Sequence, residues 1–310
     1  MVVIALAAVV MIGDVQKLGD RLGGFGWSAF VAALGLALAN YAVRFVRWQM
    51  YLRHQQVAVP ASSSALVFGS GLSLSITPAK LGELVKSYLL RELHGIPQTV
   101  TAPIVVAERV TDLVALLVLA VIGVAVYGVE TTLVLAAAGV VGFGLLLIAW
   151  PRPTRALIDL VTRPRRTRRF REPMHEMYGG LAKLCRPRLL IVATAIAVPA
   201  WACECVGFAM IVNAFAGAHV DLGLAMMIYA STTIAGALSF LPGGLGVTEG
   251  TMTILLVQTA SKLDQATAVD ATLLTRLATL WFAVVLGLVC LAFARARIAK
   301  TSAASQAPPG

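Results

Sequence analysis

Apolar runs fill most of this chain, separated by short polar punctuation, and the runs come in two lengths. Residues 25–46, 99–127, 131–150, 189–215 and 266–294 are long enough to cross a bilayer, which takes about 20 apolar residues at 1.5 Å each. Residues 1–12 are also apolar. They lack the charged start of a signal peptide and are expected to form a first, short membrane helix. The remaining runs, 60–76, 79–93, 222–241 and 245–258, are too short to cross comfortably. They fall into two pairs, each joined by helix breakers. The pattern predicts an all-α polytopic membrane protein with six full spans and two broken, re-entrant helical hairpins.

The two breaks share a local pattern. Ser75 to Glu83 and Ser239 to Glu249 both contain Ser-x-x-Pro-x-x-Leu-Gly followed by a carboxylate, Glu83 in one and Glu249 in the other. Each is followed by a short apolar run and then by a long apolar helix holding an arginine, Arg109 and Arg276 respectively. One such break would be an ordinary tight turn. Two in corresponding halves point to a binding site, because irregular backbone at membrane depth survives only against protein or a water-filled cavity. Pro78, Gly82, Asp112, Pro242, Gly243, Gly244 and Gly246 are therefore expected to shape or gate the breaks. Glu83, Lys86, Arg109, Glu249 and Arg276 are the candidate substrate-binding residues, and the tips of the two breaks are expected to meet near mid-membrane around one polar cavity.

Charge placement supplies the topology. Residues 151–188 form the long polar loop, with eleven Lys and Arg against Asp159, Glu172 and Glu176, a net charge of +8. By the positive-inside rule this loop is cytoplasmic, and its charge would attract anionic headgroups at about 1 kcal/mol per basic residue near the surface. Arg44, Arg47 and Arg53 beside Trp48 and Tyr51, and Arg295, Arg297 and Lys300 at the far end, read as further cytoplasmic helix ends. The chain then crosses six times with both termini cytoplasmic. Repeat one, about 25–127, and repeat two, about 189–294, have inverted topology. Residues 1–300 are expected to form a single membrane domain and 301–310 a disordered tail.

Composition narrows the class. With 59% hydrophobic residues, 13% charged residues and a mean hydropathy of +0.85, the chain is a membrane protein rather than a soluble domain. The net charge of +10 therefore reflects topology, and no nucleic-acid partner is expected. Inside the spans, Glu108 and Asp112 stand at i, i+4 and Arg109 and Asp112 at i, i+3, so they reach one another on one helix face. A lone charge at mid-bilayer costs at least about 2.5–3.5 kcal/mol, so each needs a partner or a cavity. Arg109 either neutralises a neighbouring carboxylate, pairs with Glu83, or offers its fork to a phosphate. Arg276 has no carboxylate within four residues, and Glu249 is its expected partner. Glu204 is either an ion or proton site or another arginine's partner. No catalytic constellation, phosphate loop or metal-ligand spacing is present, so no enzymatic activity, cofactor or metal is expected.

These residues resemble the lysylphosphatidylglycerol synthase transmembrane-domain family, also called the flippase-like domain family. The resemblance rests on Arg47-Trp48, on Pro78-x-x-Leu81-Gly82-Glu83-x-x-Lys86 with Tyr88, on Glu108-Arg109-x-x-Asp112, on Leu241-Pro242-Gly243-Gly244-Leu245-Gly246-Val247-x-Glu249, and on Arg276 before Trp281. The family's first motif more often has Gly and Arg where this chain has Ala79 and Lys86. The resemblance implies an inner (cytoplasmic) membrane protein related to the part of the two-domain synthases that moves lipid across the bilayer. This sequence lacks the soluble aminoacyl-transfer domain, so lipid lysylation by this chain alone is not implied. A flippase moving an anionic phospholipid or a polyprenyl-linked lipid is the expected function. The alternative is a membrane-embedded partner or scaffold of a glycosyltransferase or lipid-modifying enzyme.

Overall fold

A computed structural model describes residues 23–127, 132–260 and 263–306. The run 1–12 lies outside the described residues. Helices account for almost all of the rest, with no β-strand among the described residues. In chain order they are α1 (Trp27–His54), α2 (Ala61–Leu72), α3 (Val85–His94), α4 (Gln98–Tyr127), α5 (Thr132–Ala149), α6 (Pro151–Val161), α7 (Arg171–Leu184), α8 (Pro187–Asn213), α9 (Leu222–Leu238), α10 (Val247–Thr259), α11 (Gln265–Arg276) and α12 (Phe282–Gln306). Among the described residues four stretches are long and apolar enough to cross a membrane: Trp27–His54, Gln98–Val126, Pro187–Asn213 and Gln265–Ala299.

Two expectations change. The basic segment 151–188 is not a loop. It folds as the helical pair α6 and α7, which pack on each other around a short 3-10 turn at Arg168–Phe170. The long helix expected over 266–294 is interrupted: a π-helical turn, Leu277–Trp281, separates α11 from α12 directly after Arg276. α12 runs to Gln306, and residues 307–310, the end of the expected tail, lie outside the described residues.

The chain forms two units. The hairpin-one unit comprises the described residues within 43–114, 138–197 and 283–306, and the hairpin-two unit those within 23–42, 115–137 and 198–282. In the hairpin-one unit, α2 and α3 pack together with a 3-10 segment, Pro78–Leu84, between them. Close helix contact in this unit rests on small residues: a Cβ added at Gly69 would sit 2.5 Å from the Cys290 sulfur. In the hairpin-two unit, α9 packs on α10 and α10 on α11. There a Cβ at Gly123 of α4 would sit 2.6 Å from the Met227 backbone nitrogen of α9, so only glycine permits that approach.

Candidate functional site

At hairpin one the backbone tightens into bonds three residues back, and hydroxyls reinforce the same carbonyls. Ser73, Ser75 and Thr77 each donate a hydroxyl to the carbonyl three residues back, at 2.5–2.7 Å. Thr77 Oγ1 also accepts from the Gly82 N–H at 2.7 Å. Pro78 opens the 3-10 segment with its fixed φ and no N–H to satisfy. Gly82 must be glycine, since a Cβ there would lie 2.5 Å from the Leu74 Cβ. The far end of the hairpin is tied by a 2.7 Å hydrogen bond between Ser63 Oγ and His94 Nε2.

This break presents Glu83 and Lys86 to a dense ion cluster. Lys86 Nζ donates to Glu83 Oε2 at 3.1 Å and to Glu108 Oε2 at 2.5 Å. It also lies over the Trp48 ring, 4.9 Å from its centroid, and over Phe68. A Cβ at Gly71 would sit 2.7 Å from the Lys86 stem, so that glycine makes the lysine's berth. Asp112 Oδ1 accepts from Arg47 at 2.7 Å, and Arg47 also donates to Thr111 Oγ1 at 2.9 Å. Arg44 stands 3.9 Å from both Glu83 and Asp112. Arg109 Nη2 lies 3.2 Å from Glu83 and 3.0 Å from Asp112.

Four cations and three carboxylates thus share one site. Six of the seven side chains are at most 5% exposed, whereas Arg109 is 18% exposed. Its Nε and Nη2 lack an aligned hydrogen-bond acceptor among the described residues despite the nearby carboxylates. Arginine is suited to such a rim position, because its planar fork can take a carboxylate or phosphate on two nitrogens at once.

Arg44 and Arg47, expected at a cytoplasmic helix end, point into the protein. Both are buried, as are Trp48 and Tyr51. Their spacing with Asn40 held the signal: positions 40, 44, 47, 48 and 51 recur at three- and four-residue intervals, one face of a helix. Lys86 and Glu108 are equally enclosed.

Hairpin two breaks by glycine geometry. Gly243, Gly244 and Gly246 have φ of 63°, 67° and 86°, the left-handed region that other residues avoid. A Cβ at Gly244 would sit 3.0 Å from the Gly236 Cα, so the turn lies flat on α9. Arg276 fastens it from the end of α11. Its Nε donates to Glu249 Oε1 at 2.6 Å and its Nη2 to the Gly243 carbonyl at 2.6 Å. Glu249 uses its other oxygen to accept the Gly246 N–H at 2.7 Å, which satisfies a free donor at the start of α10.

The expected Glu249–Arg276 pair is therefore in place, at 22% and 12% side-chain exposure. The π turn follows at once, and such turns disrupt the regular carbonyl ladder and recur at functional sites. Tyr41 donates its hydroxyl to the Thr279 carbonyl inside that turn at 3.0 Å. In the same unit Glu204 accepts from the Tyr229 hydroxyl at 2.5 Å, so at least one of its partners is a tyrosine rather than an arginine. Among the described residues no three His, Cys, Asp or Glu side chains converge as metal ligands.

The structure places each acid–base pair within its own unit: Glu83 with Arg109 in the hairpin-one unit, Glu249 with Arg276 in the hairpin-two unit. A UPF0104 membrane protein of Methanothermobacter thermautotrophicus is 24% identical over 316 aligned positions, covering 94% of this chain and 93% of that protein. The family model for the lysylphosphatidylglycerol synthase TM region matches residues 1–287, a stretch that includes both breaks and every charged residue of the two clusters. The chain belongs to the family of the lysylphosphatidylglycerol synthase TM region.

Proposed function

We propose that this protein is a lipid translocase that moves a lipid with an anionic, phosphate-bearing headgroup across the cytoplasmic membrane. The observation that supports this most is Arg109: a part-exposed guanidinium, paired with Glu83 and Asp112, at the rim of a buried cluster holding more bases than acids. A phosphate approaching that rim would meet Arg109 before the enclosed Lys86, and it would compete with Glu83 for the same fork. Arg276 offers a second exchange of the same kind, with Glu249 and the Gly243 carbonyl as the partners displaced. Pro78, Gly82, Asp112, Pro242, Gly243, Gly244 and Gly246 would set how readily each break yields. In this reading the chain has six spans and an inverted-topology repeat, with 151–188 and both termini cytoplasmic.

Proteoliposomes with a panel of headgroup-labelled lipids test the activity. The expected outcome is accelerated movement of one anionic class, loss of that movement in Arg109→Ala, and retention in Arg168→Ala, whose side chain is solvated. If the unsubstituted protein accelerates no lipid of the panel, the reading fails and a scaffold for a glycosyltransferase or lipid-modifying enzyme takes its place. Topology is tested separately: a cysteine at position 165 should resist an impermeant reagent applied outside the cell, and its labelling would refute the inverted repeat.

A further inference from the structure

We propose that α6 is an interfacial helix whose exposed apolar face lies in the surface of an anionic lipid leaflet. The proposal is independent of whether the protein moves lipid. It begins with how α6 is held. α5 is an apolar helix ending at Ala149, and α6 starts at Pro151, with only Trp150 between them. Thr154 donates its hydroxyl to the Leu147 carbonyl at 2.5 Å, and Tyr178 of α7 donates to the Ile148 carbonyl at 3.0 Å. Both hydrogen bonds close carbonyls that the last turn of α5 leaves open. They also pin α6 and α7 to the end of α5, where an apolar helix meets the headgroup layer.

The faces of α6 then divide. Ile158 and Thr162 are buried against the protein. Leu157, Leu160 and Val161, at i, i+3 and i+4, share another face and are 51%, 63% and 51% exposed. Arg152 and Arg155 occupy the remaining arc and Arg163 follows just past the end of the helix, all exposed. A short helix with an apolar stripe, an arginine face and little hydrophobicity beyond the stripe is the form that lies in a membrane interface.

Charge selects the occupant. The segment 151–188 carries a net charge of +8, and one of its three acids, Asp159, is already engaged by Arg171 and His175, both at 2.8 Å. Three aliphatic side chains are too few for a stable protein interface, which needs about 1,000 Å². They suffice for shallow insertion when arginines hold the helix to anionic headgroups. Trp150, half exposed at the junction, has the amphipathic ring favoured at that depth.

Spin labels test it on the full chain with Cys185, Cys203, Cys205 and Cys290 replaced. Labels are placed at Leu157→Cys and Leu160→Cys, with Arg155→Cys and Arg163→Cys as controls. The protein is reconstituted in phosphatidylcholine vesicles with or without phosphatidylglycerol. Labels at 157 and 160 should collide severalfold more with oxygen than with a water-soluble nickel complex, and the controls should show the reverse. Adding phosphatidylglycerol should shift 157 and 160 deeper. In the chain with its native cysteines, tryptic cleavage within the segment should slow when phosphatidylglycerol is present, and Leu160→Glu should remove that protection. Nickel access at 157 and 160 equal to the controls overturns the proposal. So does immobilisation of these labels by self-association, or a depth that ignores lipid charge.

Discussion

Hairpin one and hairpin two are both stitched at the tip by an arginine and a glutamate, yet the two tips are built on different physics. At hairpin one the backbone turns through a 3-10 segment tied back to the Thr77 hydroxyl, and Arg109 is one of four cations among three carboxylates. At hairpin two the backbone turns through three left-handed glycines, and Arg276 serves one carboxylate and one carbonyl. The first arrangement spreads each charge over several partners, so that no single contact decides whether the cluster holds. The second concentrates everything in one guanidinium, whose withdrawal would free both the glycine turn and the start of α10. A crowded cluster is therefore suited to a fixed binding wall, and a single fastening to a moving part.

The largest effect is expected where the most partners would be stranded. Asp112→Ala removes the carboxylate nearest Arg47 and Arg109 and within 3.9 Å of Arg44. Removing one partner of a buried ion pair leaves uncompensated charge and costs about 3–5 kcal/mol. Thermal unfolding of the detergent-solubilised protein should show a loss of that order, with a fall in folded yield. A cost no greater than that of Glu249→Ala would break the comparison, because the cluster would then hold no more than the single fastening does.

Arg276→Ala should come next. It removes two charge-assisted hydrogen bonds, each contributing about 1.5–3 kcal/mol, from a site with partial access to solvent. Stability should fall less than in Asp112→Ala while the proposed transport is abolished, since the hairpin-two fastening is lost but the folded hairpin remains. Retained transport with unchanged stability, matching Arg168→Ala, would show that Arg276 fastens nothing.

How far these sites could be read from the chain follows the same division. Glycine, proline and an isolated arginine are local signals. Pro242, Gly243 and Gly244 marked the second turn, and the lack of a nearby carboxylate for Arg276 pointed to Glu249. The hairpin-one cluster was only half visible. Glu108, Arg109 and Asp112 sit together on one helix, but Arg44 and Arg47 lie beside Trp48 and Tyr51 and so read as a cytoplasmic helix end, which hid their place in the cluster. Only the three- and four-residue spacing of that face tells a buried arginine from a surface one. The π turn after Arg276 left no local mark, because no proline or glycine forces it. In 151–188 the density of arginines hid the helical spacing of Leu157, Leu160 and Val161.

The smallest effect belongs to a solvated ion pair, which sharpens the contrast with both hairpins. Asp159 of α6 accepts from Arg171 and His175 across the α6–α7 turn, and its environment is open to water. The Arg171 hydrogen bond, then that of His175, holds its carboxyl below the usual carboxylate range. A depressed acid stabilises the folded state above its unfolded pKa, about 4, and loses that contribution as pH falls through the folded value. The unfolding midpoint of the unsubstituted protein should therefore exceed that of Asp159→Asn by a small, constant margin at neutral pH. Below pH about 4 the margin should close as Asp159 takes up its proton. Raising the salt concentration at neutral pH should narrow the same margin, since exposed charges are screened. A margin that survives acid, or one as large as that of Arg276→Ala, would mean that the α6–α7 pair is held as firmly as the membrane sites and that solvent exposure does not separate the two kinds of ion pair.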